Sequence, residues 1–257
     1  MLTPQWLFLD LPITDYNEAL ALQERIVAAR VRGSLVDDVL IFIEHKPVFT
    51  LGKRGGRQFL RVSESFLSSQ EISVIQTERG GSITYHGPGQ LVAYPVIFLK
   101  ENGLSVAAYV ELLEEVMLRC AADYGVACRR DKKNRGVWTD VKKIGSLGIR
   151  VKRNVAMHGL ALNVCPDLAP FSWMSPCGIE MAVVTSLAAE KRETVSVSTV
   201  RQRMAAWFAS LFRVELKPIG PAELDVMLNE QQEDAYEKTG QQDSKAGVAQ
   251  AAAAHGA

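Results

Sequence analysis

The sequence offers little that would mark it for a polyanionic partner, a membrane or an oxidising compartment. Its 257 residues carry 29 Lys+Arg against 29 Asp+Glu, so formal net charge is zero. A general nucleic-acid binder would show a large basic excess, and that class is set aside. No apolar run approaches the roughly 20 residues that cross a bilayer, so no membrane partner is expected. The opening MLTPQWLFLDLPITDYNEAL lacks the basic start and apolar stretch of a secretory signal. Four cysteines, Cys120, Cys128, Cys165 and Cys177, show no CxxC spacing, which points away from a zinc site or a redox pair. The glycines fit neither GxxxxGKS/T nor GxGxxG. No metal or cofactor is expected, and the protein reads as cytoplasmic with reduced thiols.

What is present is an ordinary globular composition, 47% hydrophobic and 23% charged. Trp6–Leu11 and Val39–His45 read as strands, the second continuous and rich in β-branched residues. Between them DYNEALALQERIVAARVRG has helical spacing, with Asp15 and Glu18 in a capping-box pattern and Gly33 as the stop. Ile72–Thr77 and Leu91–Leu99 read as further strands, and Pro95 predicts an edge or a bulge in the second. Ser105–Gly125 is the clearest helix, with Val106, Tyr109, Val110, Leu113, Val116, Met117 and Cys120 on one face. Three strands follow, GVWT, KIGSLGIRV and VAMHGLALNV, then a helix capped at Ser198 and a short one with Pro221 in its first turn. After about Gln231 almost nothing large remains to bury, so residues 231–257 read as a disordered tail on a single domain of residues 1–230. Strands arriving in clusters with interspersed helices predict an α+β fold with a mixed sheet flanked by helices.

Several segments could carry chemistry. RGGSITYHGPGQ (Arg79 to Gln90) holds glycines at 80, 81, 87 and 89 with Arg79, Thr84, Tyr85 and His86 among them. It reads either as a plain strand connection or as a turn whose amides and arginine face a ligand. Cys120, Cys128 and Cys165 fall in or beside apolar segments and read as core. Cys177 lies between Pro176 and Gly178, where a thiol is either an inert turn residue or, beside a cation, a nucleophile. Lys143 opens an apolar strand, as a solvated strand end or as a lysine turned into a cleft. His86 and His158 are the other candidate bases, and His158 in its alternating strand also suits a satisfied core position. Arg129 to Arg135, RRDKKNR, is a solvated loop or a docking face for an acidic protein.

Taken together the chain resembles the lipoyl(octanoyl) transferase family of lipoate biosynthesis. EHKPVFTLGKRG is similar to the family's early strand and turn. RGGSITYHGPGQLVAYP matches its signature RGG-x-x-T-aromatic-H-x-x-G-Q and the following tyrosine, here Tyr94. KIGSLGIRV…HGLALNV matches the segment with its lysine, and SPCGI the segment with its active cysteine. The resemblance implies a fold shared with lipoate and biotin ligases. It also implies transfer of an octanoyl group from octanoyl-acyl carrier protein to a specific lysine of lipoyl domains, the first step of endogenous protein lipoylation. Acceptors would be lipoyl domains of 2-oxoacid dehydrogenase complexes and the glycine cleavage H protein. Cys177 would be the acyl-thioester nucleophile, and Lys143 the residue that lowers its pKa and acts as base. Arg79, Gly80, Gly81, Ser82, Ile83, Thr84, Tyr85 and His86 would line the substrate site, with Ser146, Leu147, Gly148, Gly159, Leu160 and Ala161. Two alternatives remain: an ATP-dependent lipoate or biotin ligase, and a non-catalytic binding module for carrier protein or lipoyl domains.

Overall fold

The computed structural model describes residues 3–131, 134–175 and 183–229. The expected tail, residues 231–257, and Cys177 lie outside the described residues. The chain runs β1 (Gln5–Thr14), α1 (Tyr16–Arg32), β2 (Asp38–His45), β3 (Val48–Leu51), α2 (Glu64–Ser69), β4 (Ser73–Gln76), β5 (Ile83–His86) and β6 (Gln90–Phe98). It continues with α3 (Val106–Asp123), β7 (Arg129–Arg130), β8 (Val137–Trp138), β9 (Lys143–Lys152), β10 (Val155–Asn163), α4 (Leu187–Lys191), α5 (Val197–Phe212) and β11 (Glu215–Pro218). A last helix covers residues 221–229.

Eight strands form one sheet in the order β11-β1-β2-β6-β10-β9-β8-β7, and β4-β3-β5 form a second. β1 runs parallel to both β11 and β2, whereas β2, β6, β10, β9, β8 and β7 pair antiparallel. The architecture is therefore α+β with a mixed sheet flanked by helices.

β2 shows why. A strand covered on both faces reads as a continuous apolar run rather than an alternation. Val39, Ile41 and Ile43 pack with Ile26 and Val27 of α1, while Leu40 and Phe42 pack with Tyr109 of α3 and Phe208 of α5. α1 starts where Asp15 accepts from the Asn17 amide at 2.8 Å and stops at Gly33, whose φ is 73°. The last helix adds Leu224 and Leu228 to the α1 side.

Three local expectations are corrected. β6 is an interior strand between β2 and β10, so Pro95 marks no edge. Pro95 pairs with Leu40 on the β2 side, and the β6–β10 pairing lapses between Ala93/Leu160 and Ile97/Ala156. The missing N–H of proline is accommodated by a gap in one ladder. The N-cap position of α5 is Ser196, whose side chain makes no capping hydrogen bond, and Ser198 lies inside the first turn. Val106, expected on the buried face of α3, is 49% exposed, whereas Glu114 is fully buried.

Candidate active site

The glycine-rich turn before β5 is held by backbone bonds. The amides of Gly52, Lys53 and Arg54 donate to the carbonyls of Ser82, Arg79 and Gly81 at 2.9, 2.9 and 3.0 Å. Gly80 donates to the Ile149 carbonyl of β9 at 2.9 Å. Gly81 has φ 89°, and a Cβ on Gly52 would sit 2.6 Å from its carbonyl oxygen, so the two turns approach as only glycine permits. Arg79 is buried and donates to the Thr50 carbonyl at 2.6 Å and the Thr50 hydroxyl at 2.8 Å. The Gly80 amide and much of the guanidinium are therefore engaged by the protein itself rather than turned to a ligand.

β5 then alternates. Tyr85 turns to the core of the small sheet, its ring 5.3 Å from that of Phe49 and 5.4 Å from that of Phe171. Thr84 and His86 turn the other way, to a cavity of about 360 Å³. That volume lies in the range of roughly 300–1,000 Å³ usual for small-molecule sites. Residues 79–84, His86, Lys143, 146–148 and 159–161 all line it. Of the residues expected at the substrate site, Tyr85 alone is not part of its wall. Met174 and Val184, which flank the segment carrying Cys177, line it too.

Lys143 is held at the start of β9. Its backbone amide donates to the Val183 carbonyl at 2.8 Å, and its carbonyl accepts from the Thr185 amide at 2.9 Å. Its Nζ donates to the Arg135 carbonyl at 3.0 Å and lies 5.2 Å from the centre of the Trp138 ring. Both contacts suit an ammonium.

Beside the cavity lies a buried polar group, His45, His86, Gln90, Tyr94 and Asn163, of which His86, Tyr94 and Asn163 line it. His45 Nδ1 faces the Thr14 carbonyl at 3.1 Å, which only accepts, so the neutral ring carries its proton there. Its Nε2 therefore accepts from the Tyr94 hydroxyl at 2.7 Å. His86 is fixed similarly. Asn163 Nδ2 donates to the Thr185 carbonyl, Gln90 Nε2 donates to Asn163 Oδ1, and Gln90 Oε1 is left to accept from His86 Nδ1 at 2.7 Å. Burial lowers His45 to about 4, and burial with the neighbouring His45 takes His86 well below the usual imidazole range. Tyr16 is raised to about 12 by burial, and Tyr94 is raised as well.

His158 is buried, as its strand pattern suggests, but it is not a satisfied core residue. Its φ is 57° and neither ring nitrogen has a hydrogen-bond partner. Burial lowers it to about 3, with Arg79 and Arg150 adding to the effect. The Ser82 hydroxyl is likewise buried without a partner. Both residues line the cavity, which therefore offers hydrogen-bonding capacity that the protein leaves unused.

The thiols of the other three cysteines are not activated. Burial pushes Cys120 up to about 12 and Cys128, only partly buried, to about 11; Cys165, expected in the core, is instead exposed, because it follows the end of β10, and partial desolvation with the Glu44 charge raises it. The described arginines of the basic run are paired: Arg129 with Asp131, Arg130 with Glu115 at 2.5 Å, and Arg135 with Glu114 at 3.2 Å. Among the described residues no His/Cys/Asp/Glu group could hold a metal ion, and no helix is long and apolar enough to cross a membrane.

The family model for the lipoyl protein ligase A/B catalytic domain matches residues 15–209. A curated octanoyltransferase of Desulfotalea psychrophila is 47% identical over 205 residues, which covers 79% of this chain and 92% of that protein. One from Geobacter metallireducens is 42% identical over 214 residues, covering 83% and 97%. The chain belongs to the octanoyltransferase family. It is thus an acyltransferase by descent, and its fold extends to more distant proteins. A bipartite lipoate protein ligase from Thermoplasma acidophilum superposes with a TM-score of 0.69 at 17% identity, covering 88% of this chain and 91% of that one. A lipoate-protein ligase A bound with ATP gives 0.68 at 16%, covering 90% and 94%. At such identities the likeness concerns the fold alone.

Within the site, residue patterns left two cavity groups unmarked. Tyr16 looks like an ordinary first helical residue, and Trp138 an ordinary strand aromatic, yet both line the site. The signal available for Tyr16 was an aromatic directly after an N-cap, which alone carries no chemistry.

Proposed function

We propose that the protein transfers an octanoyl group from octanoyl-acyl carrier protein to a specific lysine of lipoyl domains, through a thioester on Cys177. The observation that carries the reading is Lys143: its ammonium lines the same cavity as the RGG turn and as the residues flanking the cysteine segment. Octanoyltransferase relatives and the raised pKa values of the other described thiols support it further.

The chemistry then follows. The Lys143 charge stabilises the Cys177 thiolate. The thiolate sulfur bonds to the thioester carbonyl carbon, and the carbon–sulfur bond to the carrier breaks. The departing carrier thiolate takes a proton from Lys143. Donor and product are both thioesters, so little bond energy is lost and no nucleotide is needed. In the second half the neutral amine of the acceptor lysine bonds to the acyl carbon, its proton passes to Lys143, and Cys177 leaves as thiolate. The cavity takes the acyl chain, with 146–148 and 159–161 as its walls. Arg79 holds the turn that forms another. Acceptors are lipoyl domains of 2-oxoacid dehydrogenase complexes and the glycine cleavage H protein, and the reaction runs in the cytoplasm.

The test is intact mass after mixing with octanoyl-acyl carrier protein in the absence of ATP. The wild type gains one octanoyl group, located to Cys177 by peptide mapping, and Cys177→Ser gains no thioester. An unchanged transfer rate in that variant, or strict dependence on ATP, would sink the proposal in favour of a ligase. Binding of the carrier with no acyl gain at all would leave a binding module.

A further inference from the structure

We propose that Glu114 of α3 is a positioning residue for Lys143, acting through the peptide unit that joins Arg135 to Gly136. This builds on the reading of Lys143 given above.

Glu114 is fully buried on an otherwise apolar helix face. A carboxylate in such a place is costly unless it is paired and hydrogen-bonded. It accepts from the Gly136 amide at 3.0 Å and from Arg135 Nη1 at 3.2 Å, with Arg130 Nε at 3.5 Å. The Gly136 N–H and the Arg135 C=O belong to one peptide plane, and that plane is trans. In a trans peptide these two groups point in opposite directions. The N–H is fastened to Glu114, so the carbonyl must face away from α3. There it accepts from Lys143 Nζ at 3.0 Å. A negative group on the donor side of a peptide also polarises its carbonyl, strengthening it as an acceptor for a cation.

The front of the same peptide is equally confined. Gly136 has φ 122°, and a Cβ there would lie 2.5 Å from the Gly145 carbonyl oxygen and 2.8 Å from Lys143 Cε. The peptide is thus clamped between a carboxylate behind and the Lys143 stem in front. Glu114 touches neither substrate nor reacting atoms in this arrangement. Its effect is on where the ammonium sits and how firmly it is held.

The test compares reach with charge. Glu114→Gln keeps an oxygen at the same distance for the Gly136 amide and removes the charge. Glu114→Asp keeps the charge and withdraws it by one methylene. The readout is acetylation of Lys143 by acetic anhydride at pH 8, followed by peptide mass, with exposed Lys152 as internal standard. Thermal melts check that each variant folds. Expected is a rise of about threefold in Lys143 acetylation for the Asp variant, the counterpart of about half a pH unit, and a smaller change for Gln. Should the Asp chain not fold, Glu114→Ala replaces it in the same comparison. Wild-type rates in both variants, equal changes, or a larger change in Gln overturns the proposal. Cys177 alkylation in Lys143→Ala is measured alongside. If that profile matches wild type, the cysteine–lysine reading fails, and the acetylation result still decides whether Glu114 positions Lys143.

Discussion

Arg79 reaches Thr50 through two nitrogens: Nε donates to the hydroxyl at 3.1 Å and Nη2 to the carbonyl at 2.6 Å. The guanidinium thereby ties the turn that forms one cavity wall to β3. A lysine has charge at that place but no planar fork, so one ammonium cannot reproduce both bonds. Arg79→Lys should destabilise the protein by about 1–3 kcal/mol, the range for losing buried charge-assisted hydrogen bonds. Urea denaturation measures it, as a lower midpoint with unchanged slope. An unmoved midpoint would show that the turn does not depend on the clamp.

The reactivity of Cys177 should depend on Lys143. On the proposed reading, Lys143→Ala removes the cation that stabilises the thiolate, so less thiolate is present at neutral pH. Iodoacetamide alkylation at pH 7 should fall about tenfold, as for a rise of one pKa unit, and recover as pH rises. Superimposable profiles for the two proteins would remove Lys143 from any role in tuning the thiol.

Cavity volume should set acyl length. Ala161 is 5% exposed and lies in the wall beside Leu160, on the interior strand β10. Ala161→Leu places three more carbons into a space of about 360 Å³. A fixed sheet cannot yield that volume cheaply. Transfer of octanoyl should fall by about tenfold or more in kcat/KM, while transfer of butanoyl from the same carrier should fall less. Steady-state rates with the two acyl-carrier proteins decide it. Equal losses for both chains would place the acyl group elsewhere.

Much of the architecture was legible because β2 is covered on both faces, and its continuous apolar run reports that directly. The RGG turn, Lys143, 146–148 and 159–161 stood out as motifs, and they converge on one cavity. What was not legible depended on partners far along the chain. Pro95 obeys its rule about the absent N–H, but only the register shows that an interior ladder opens to suit it. Glu114 looked like one more acid on an amphipathic helix. Its partners Arg130, Arg135 and Gly136 lie beyond the helix end, and nothing local announces a buried carboxylate. His158 suited a satisfied core position as well as a base, since alternation reports burial and says nothing of hydrogen bonds.

The buried histidines make acid stability the last expectation. His45 stands at about 4 and His158 at about 3 in the folded chain, against an ordinary value of 6.5. Between those values the unfolded chain binds protons that the folded chain refuses. Stability is therefore unaffected by these groups above pH 6.5 and falls as pH drops below it, until each folded value is passed. Each histidine contributes a slope of at most about 1.4 kcal/mol per pH unit. His158→Asn removes one of these protons and keeps a polar side chain. Its midpoint in urea should fall less than wild type's between pH 6.5 and 4.5. Parallel loss in the two proteins over that window would mean that His158 takes up its proton without unfolding, through the cavity that its ring lines.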